Sequence, residues 1–284
     1  MPPVHGTLAT RALAGLSAAL LALTTACSKA PVTDRVQFNL IPDRIMTPLG
    51  TSTYKEMLSA ERVEKGSDRH DVLRKVGKRV SKVANQPGYK WRYALIKDDD
   101  TVNAWCLPGG KIAFYSGILP VLRNEAGMSF VMGHEVAHAT AHHSAERLSQ
   151  QLAVAGGLTA LYLYLDGNTE LKDETKNIIV GALGLGAHVG YMLPFSRKHE
   201  KEADIIGMMY MARAGYPPEE SVAVWNRMDK LSGGGAMPMF LSTHPSHGQR
   251  KRNLRDWMPQ AKKRYARNAL NEDTQRVVWP AKGK

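Results

Sequence analysis

The segment His134-Glu135-Val136-Ala137-His138 sets two imidazoles four residues apart with a carboxylate between them. On an α-helix, residues four apart lie about one turn from each other on the same face, so both rings can reach one metal ion. Glu135, beside the first ring, is placed to take a proton from water activated by that ion. The chemistry this spacing fits is metal-assisted hydrolysis. A catalytic zinc takes three protein ligands and keeps one position for water, so a third donor is needed. His142 and His143 follow, but three histidines on successive turns span about 12 Å of helix axis, too far for one ion.

The third donor must return from elsewhere. Ser196-Arg-Lys-His-Glu-Lys-Glu-Ala-Asp204 offers Glu200 and Asp204, again one turn apart. Glu200 can bind the ion while Asp204 accepts a hydrogen bond from the second nitrogen of a ligand histidine, fixing its tautomer. The alternative is that both carboxylates lie on a solvated, charged helix face; a two-histidine motif lacking its third ligand favours the metal.

These residues need elements to carry them. The spacing predicts helices over 51–61 and 67–85, the latter with Val72, Val76, Val80 and Val83 on one face. Strands are expected over 91–97, 102–107 and 111–115, forming a small sheet that is antiparallel in part. Ser116 and Asn124 are candidate helix N-caps, and one long helix is expected from Glu125 to about Leu152. Two apolar stretches, 153–165 and 178–193, are short and glycine-rich for membrane spans and read as helices packed over the core. Further helices are expected over 197–213, from Pro218 to Leu231, and from about Ser246 towards Trp257. A Gly233-Gly-Gly joint precedes the loop holding His244, and the rest reads as a loosely held tail.

The chain has 284 residues, 43% hydrophobic and 23% charged, ordinary values for a folded domain. Its first residues, with Arg11, an apolar run from Ala12 to Leu23 and small residues up to Cys27, have the layout of a secretory signal peptide. Cys27 after Thr-Thr-Ala resembles a bacterial lipobox, which makes it a candidate for lipidation and predicts a periplasmic protein anchored to the outer membrane. Cys106 is then without a partner; a Cys27–Cys106 disulfide is the alternative. The formal charge is +12, much of it in a basic C-terminal run including Arg250, Lys251, Lys262 and Lys263. Export argues against nucleic acid as its partner; attraction to anionic lipid, or a plain solvated helix face, is the reading.

His134-Glu-Val-Ala-His138 with Glu200-x-x-Ala-Asp204 resembles the zinc peptidases of metallopeptidase family 48, which include the CAAX prenyl endopeptidase, HtpX and BepA. Asn103-Ala-Trp-Cys-Leu-Pro-Gly-Gly110, Pro194-Phe-Ser-Arg197 and Ser242-Thr-His-Pro245 followed by Arg250 match in the same order. The likeness covers about residues 32–254 and is nearest to small lipoprotein members.

The resemblance implies an α+β fold, a mainly helical gluzincin-type zinc peptidase with a small mixed β-sheet edging the cleft. It divides the chain into a signal peptide (1–26), an N-terminal tether (27–50), a peptidase domain (51–258) and a basic tail (259–284). One zinc ion is expected, with Glu200 as third ligand and Asp204 behind it. Substrate is expected along Asn103, Ala104, Pro108 and Gly109, and His244 maps to a histidine that can take the fourth zinc position and shut the site. Arg250 is a candidate to steady the oxyanion or to form a salt bridge on the last helix. Expected substrates are unfolded or misassembled envelope polypeptides. A chaperone-like protein with structural zinc, and a membrane-embedded HtpX-like protease, are the rival readings.

Overall fold

The computed structural model describes residues 27–166, 195–232, 238–244, 248–276 and 278–279. The expected leader, the stretch 178–193 and the Gly233 joint lie outside these residues. An antiparallel hairpin of β1 (Cys27–Lys29) and β2 (Val36–Phe38) comes first. Helix α1 (Asp43–Ser59) starts earlier than residue 51 and contains Pro48, whose missing N–H removes one backbone bond, to the Arg44 carbonyl. Helix α2 (Asp68–Ala84) is capped by Ser67, whose hydroxyl accepts from the His70 N–H, and buries Leu73, Val76 and Val80 along one face.

A mixed sheet follows, built from β3 (Val63–Glu64), β4 (Arg92–Ile96), β5 (Ala104–Leu107) and β6 (Lys111–Tyr115) in the order β3-β4-β6-β5. The β4–β6 pair is parallel and the other two are antiparallel. One face carries Leu95, Ile112 and Phe114 into the main core, and the other packs Ala94, Ile96 and Ala113 under Tyr54 and Leu58 of α1. A 3-10 turn (Ser116–Ile118) and α3 (Leu119–Leu122) lead away. Ser116 is not a helix cap; its hydroxyl accepts from the Asp98 N–H and donates to Asp99.

Helix α4 (Glu125–Thr140) starts at Asn124, whose side chain accepts from the Gly127 N–H at 2.8 Å. Every residue from Ala126 to Thr140 is buried, so α4 runs through the centre of the fold. The single helix expected as far as Leu152 is two. His142 takes a left-handed conformation (φ 48°) and α5 (His143–Asp166) begins after it. No glycine or proline marks this break, and the apolar period runs on across it, so local sequence does not reveal it. Helix α6 (Arg197–Arg213) is capped by Ser196 and is followed by α7 (Glu220–Ser232), α8 (Met239–Thr243) and α9 (Gly248–Tyr265).

The tail expected to be loose is partly packed. Helix α9 continues through Pro259 to Tyr265, and the Val278 and Trp279 amides donate to the Arg123 carbonyl at 2.7 and 2.9 Å. Among the described residues no helix is long and apolar enough to cross a membrane.

Helices α4 and α6 cross where Gly133 meets Gly207. A Cβ at Gly207 would stand 2.6 Å from the His134 amide nitrogen, and one at Gly133 would stand 2.6 Å from the Gly207 carbonyl oxygen. Only two glycines allow so close a backbone approach. Since backbone rather than a mobile side chain would have to move, Gly207→Ala is expected to lower stability by about 1–3 kcal/mol. The urea midpoint checks this against Gly248→Ala, where the nearest atom to a new Cβ lies 3.8 Å away and little change is expected.

Candidate active site

The crossing faces the second half of α4 towards the first half of α6. His134 Nε2 lies 3.1 Å from His138 Nε2 and 3.4 Å from Glu200 Oε2. Glu200 Oε1 lies 3.3 Å from His138 Nε2. Helix α8 ends at His244, whose Nδ1 is 3.0 Å from Glu200 Oε1 and 3.3 Å from His134 Nε2. Donor atoms of these four buried residues all lie within 4.8 Å of one another.

Two observations test whether a metal ion fits. Imidazole and carboxylate donors at ~2.0–2.2 Å around a tetrahedral ion stand ~3.3–3.5 Å apart, close to the spacings found. Three carboxylates (Glu135, Glu200 and Asp204) are buried here with Arg250 as the neighbouring guanidinium, a balance that favours a further cation. The donor set fits a divalent metal.

Asp204 stands behind the cluster. Its Oδ1 is 3.1 Å from His134 Nδ1 and accepts from the Trp225 indole N–H at 3.3 Å. Arg250 donates to both Asp204 oxygens, at 2.6 and 2.7 Å, and its Nη1 lies 2.7 Å from Glu200 Oε2. Its guanidinium also covers the Trp225 ring at 3.8 Å. The oxyanion role expected for Arg250 is therefore corrected. It lies buried behind the cluster with its nitrogens directed at Asp204, Glu200 and the His244 carbonyl, which is the salt-bridge alternative.

Burial alone would raise the Glu200 pKa, but His244, Arg250 and both α4 histidines hold it well below the usual carboxylate range. Asp204 is likewise lowered against its burial, by Arg250 and His134. Burial drives His138 well below its ordinary value, keeping the ring neutral and able to offer a lone pair. Glu135 is pushed by burial up to about 7, with His244 and the Cys106 amide pulling the other way. It faces a cavity of about 290 Å³ lined by Met57, Trp105, Phe195, Met239 and His244.

Asn103 and Ala104 also line this cavity. Pro108 and Gly109 do not; they turn away from it and lie against Gly50 and Thr47 of α1, so their expected substrate role is corrected. His142 pairs with Asp43 at 3.2 Å and takes no part in the cluster. Cys106 is a free, buried thiol, which removes the disulfide alternative.

Sequence reasoning missed an outer layer. His138 Nδ1 is 3.0 Å from His143 Nδ1, and His143 Nε2 is 3.0 Å from Glu202 Oε2. Arg35, just before β2, bridges Glu202 and Glu146 at 2.6 and 2.7 Å, and Glu146 reaches His199 at 3.1 Å. Phe195 stacks on the His138 ring at 4.0 Å. The one sequence signal was that His143, Glu146, His199 and Glu202 all flank the primary motifs.

Residues 67–258 match the family described as Peptidase family M48. The chain is 32% identical over 255 residues to the mitochondrial metalloendopeptidase OMA1 of Schizosaccharomyces pombe, covering 88% of this chain and 71% of that one. Against the same-named enzyme of Saccharomyces cerevisiae it is 34% identical over 260 residues, covering 85% and 72%. It is 26% identical over 212 residues to the beta-barrel assembly-enhancing protease of Escherichia coli, covering 72% of this chain and 40% of that protein. The periplasmic, outer-membrane-anchored location expected from the leader and Cys27 is overturned by this finding, since the relatives matched over most of both chains are mitochondrial enzymes.

The outer layer gives a pH signature. Burial would raise Glu202 and Glu146, but hydrogen bonds from His143, Arg35 and Thr33 hold Glu202 down at about 2, and His199 with Arg35 hold Glu146 well below its ordinary value. Both are depressed in the folded state, so their stabilisation is complete above the unfolded value of 4.5. It is lost as pH falls from there towards about 2. Melting temperature, measured with chelator throughout so that ion release does not contribute, is expected to fall more steeply over that window in the parent than in Glu202→Gln.

Proposed function

The chain belongs to peptidase family M48 and is a metalloendopeptidase; on that premise we propose that His134, His138 and Glu200 hold a single zinc ion and that Glu135 is the base for hydrolysis of extended polypeptides lying along β5. The observation that carries this reading is the convergence of those three donors, from two helices, beside the buried Glu135 carboxylate. When bound, the ion supplies a Lewis acid that polarises the scissile carbonyl and makes water beside it easier to deprotonate.

The chain's own residues do the rest. Glu135 takes a proton from the attacking water on its carboxylate and passes it to the departing amine nitrogen. A pKa raised by burial suits both halves of that task near neutral pH. Asp204 accepts from His134 Nδ1, which fixes the tautomer that turns Nε2 towards the ion. Arg250 acts through Asp204 and Glu200 as a positioning residue.

Strand β5 is an edge strand whose Ala104 and Cys106 amides point away from β6. The Ala104 N–H is met by Asn103 Oδ1 at 2.9 Å, where a substrate carbonyl would bond on strand addition. Trp105, Met57, Phe195 and Met239 give the cleft an apolar lining suited to side chains that a folded protein would hide. Unfolded or misassembled polypeptides are the substrates this supports.

His244 sits where a fourth donor closes the site, with Nε2 3.5 Å from Glu135 Oε1. A four-donor cluster leaves water no position, so the enzyme is shut until α8 carries His244 away. Glu135→Gln is expected to reduce casein cleavage by about 10²–10⁴-fold with zinc content unchanged; cleavage equal to the parent's would remove Glu135 from the mechanism. His244→Ala, which opens the fourth position, is expected to raise casein turnover several-fold at equal zinc content. A fall in turnover instead would make His244 a participant in catalysis and dispose of the latch.

A further inference from the structure

Strand β4 pairs with β6 along its whole length, but its other neighbour, β3, reaches only Leu95 and Ile96. Strand amides alternate between the two sides. The Arg92 N–H bonds to the Gly110 carbonyl on the β6 side at 2.9 Å, and the Lys97 N–H bonds to the Arg62 carbonyl on the β3 side at 2.8 Å. The N–H and C=O of Tyr93 therefore face the β3 side as well. There β3 has already ended at Glu64, and the chain turns away through Gly66 (φ 70°) into α2. The first half of β4 is left as an open edge.

That edge borders a cavity of about 650 Å³ between α1 and α2. Five exposed cations surround it, Lys55, Lys65, Arg74, Lys78 and Arg92, and no carboxylate lines it. Arg74 has a distant partner in the exposed Asp71 at 3.6 Å. Tyr54, Leu58 and Tyr93 give the cavity an apolar floor, and His70, also lining it, has a buried Nδ1 without a hydrogen-bond partner. A second cavity of about 420 Å³ shares Lys78, Trp91 and Tyr93 and adds Lys82, carrying the cleft further along.

Lysines beside an exposed strand also guard against self-pairing. A guard needs a charge or two on a flat edge, whereas these charges enclose an apolar-floored space and lack lining counter-charges. We propose that this cleft docks an extended acidic polypeptide segment, which adds a strand to the open edge of β4 and lays its carboxylates against Lys55, Arg74, Lys78 and Arg92. It lies at the opposite edge of the sheet from β5, so occupancy leaves the cleft beside Glu135 free. The segment belongs to a partner protein, and its docking requires no turnover.

The test uses the full chain carrying Glu135→Gln, so that the probe is not cut, and a short fluorescein-labelled peptide of alternating Glu and Thr. Fluorescence anisotropy is expected to show saturable binding that weakens at least tenfold in Lys55→Glu/Arg74→Glu/Lys78→Glu and several-fold in each single reversal. Far-UV circular dichroism checks that each variant is folded, and the single reversals carry the test if the triple variant is not. N-methylation of alternate peptide amides, which blocks strand pairing, is expected to weaken binding by a similar factor. Undiminished binding to the folded charge-reversal variants would overturn the site, and undiminished binding of the N-methylated peptide would overturn strand addition. If the peptide fails to bind while phosphatidylglycerol vesicles bind the parent and not the triple variant, the cleft serves an anionic lipid surface and the proposal falls.

Discussion

Glu200 and Asp204 are ionised carboxylates inside the protein core, one helical turn apart, and the arrangement around them follows from that. Moving a carboxylate out of water costs several kcal/mol unless partners replace the lost hydration. Arg250 supplies a guanidinium to both, Trp225 an indole N–H to Asp204, and the α4 histidines their ring nitrogens. Removing one partner of such a set leaves the other charge buried and uncompensated, a change worth about 3–5 kcal/mol in comparable sites. The same low-dielectric surroundings that make the carboxylates costly raise Glu135 and depress His138.

The backbone makes this possible in two places. At the Gly133–Gly207 crossing, α4 and α6 approach until no Cβ fits between them, which sets the α4 imidazoles against the α6 carboxylates without long side-chain reach. At His142 a left-handed residue ends α4, and the His143 ring lies against the Nδ1 edge of His138. The two α4 imidazoles of the cluster are thereby held by hydrogen bonds from behind, His134 through Asp204 and His138 through His143 and Glu202. Arg35 ties the β1–β2 hairpin to this layer, so the segment read from sequence as a tether is a support of the site.

The sheet contributes its two edges. Strand β5 lies beside Glu135 with its outward amides near the catalytic cleft, and β4 opens at the far side where β3 stops short. Short strands and nearby cations restrain such edges from pairing with other copies. The β5 edge has apolar surroundings and its Ala104 N–H is held by Asn103 Oδ1, whereas the β4 edge has cationic surroundings.

Residue spacing carries the metal-site pattern and most of the elements. His134, Glu135 and His138 are legible because helical spacing alone puts two rings on one face, and Glu200 and Asp204 because the same spacing recurs where a third ligand is wanted. The caps at Ser67, Asn124 and Ser196 and the end at Asn85 are local side-chain and backbone effects, so the helices they bound were foreseeable within a few residues. Tertiary structure alone decided what depends on distant partners. Arg250 serves the buried carboxylates rather than a reacting carbonyl because α9 brings it behind Asp204, and no local pattern carries that. Pro108 and Gly109 leave the cleft because α1 packs against them. The break at His142 carries no local signal, and the layer from Arg35 to His143 joins segments 59 to 167 residues apart, where periodicity has no reach.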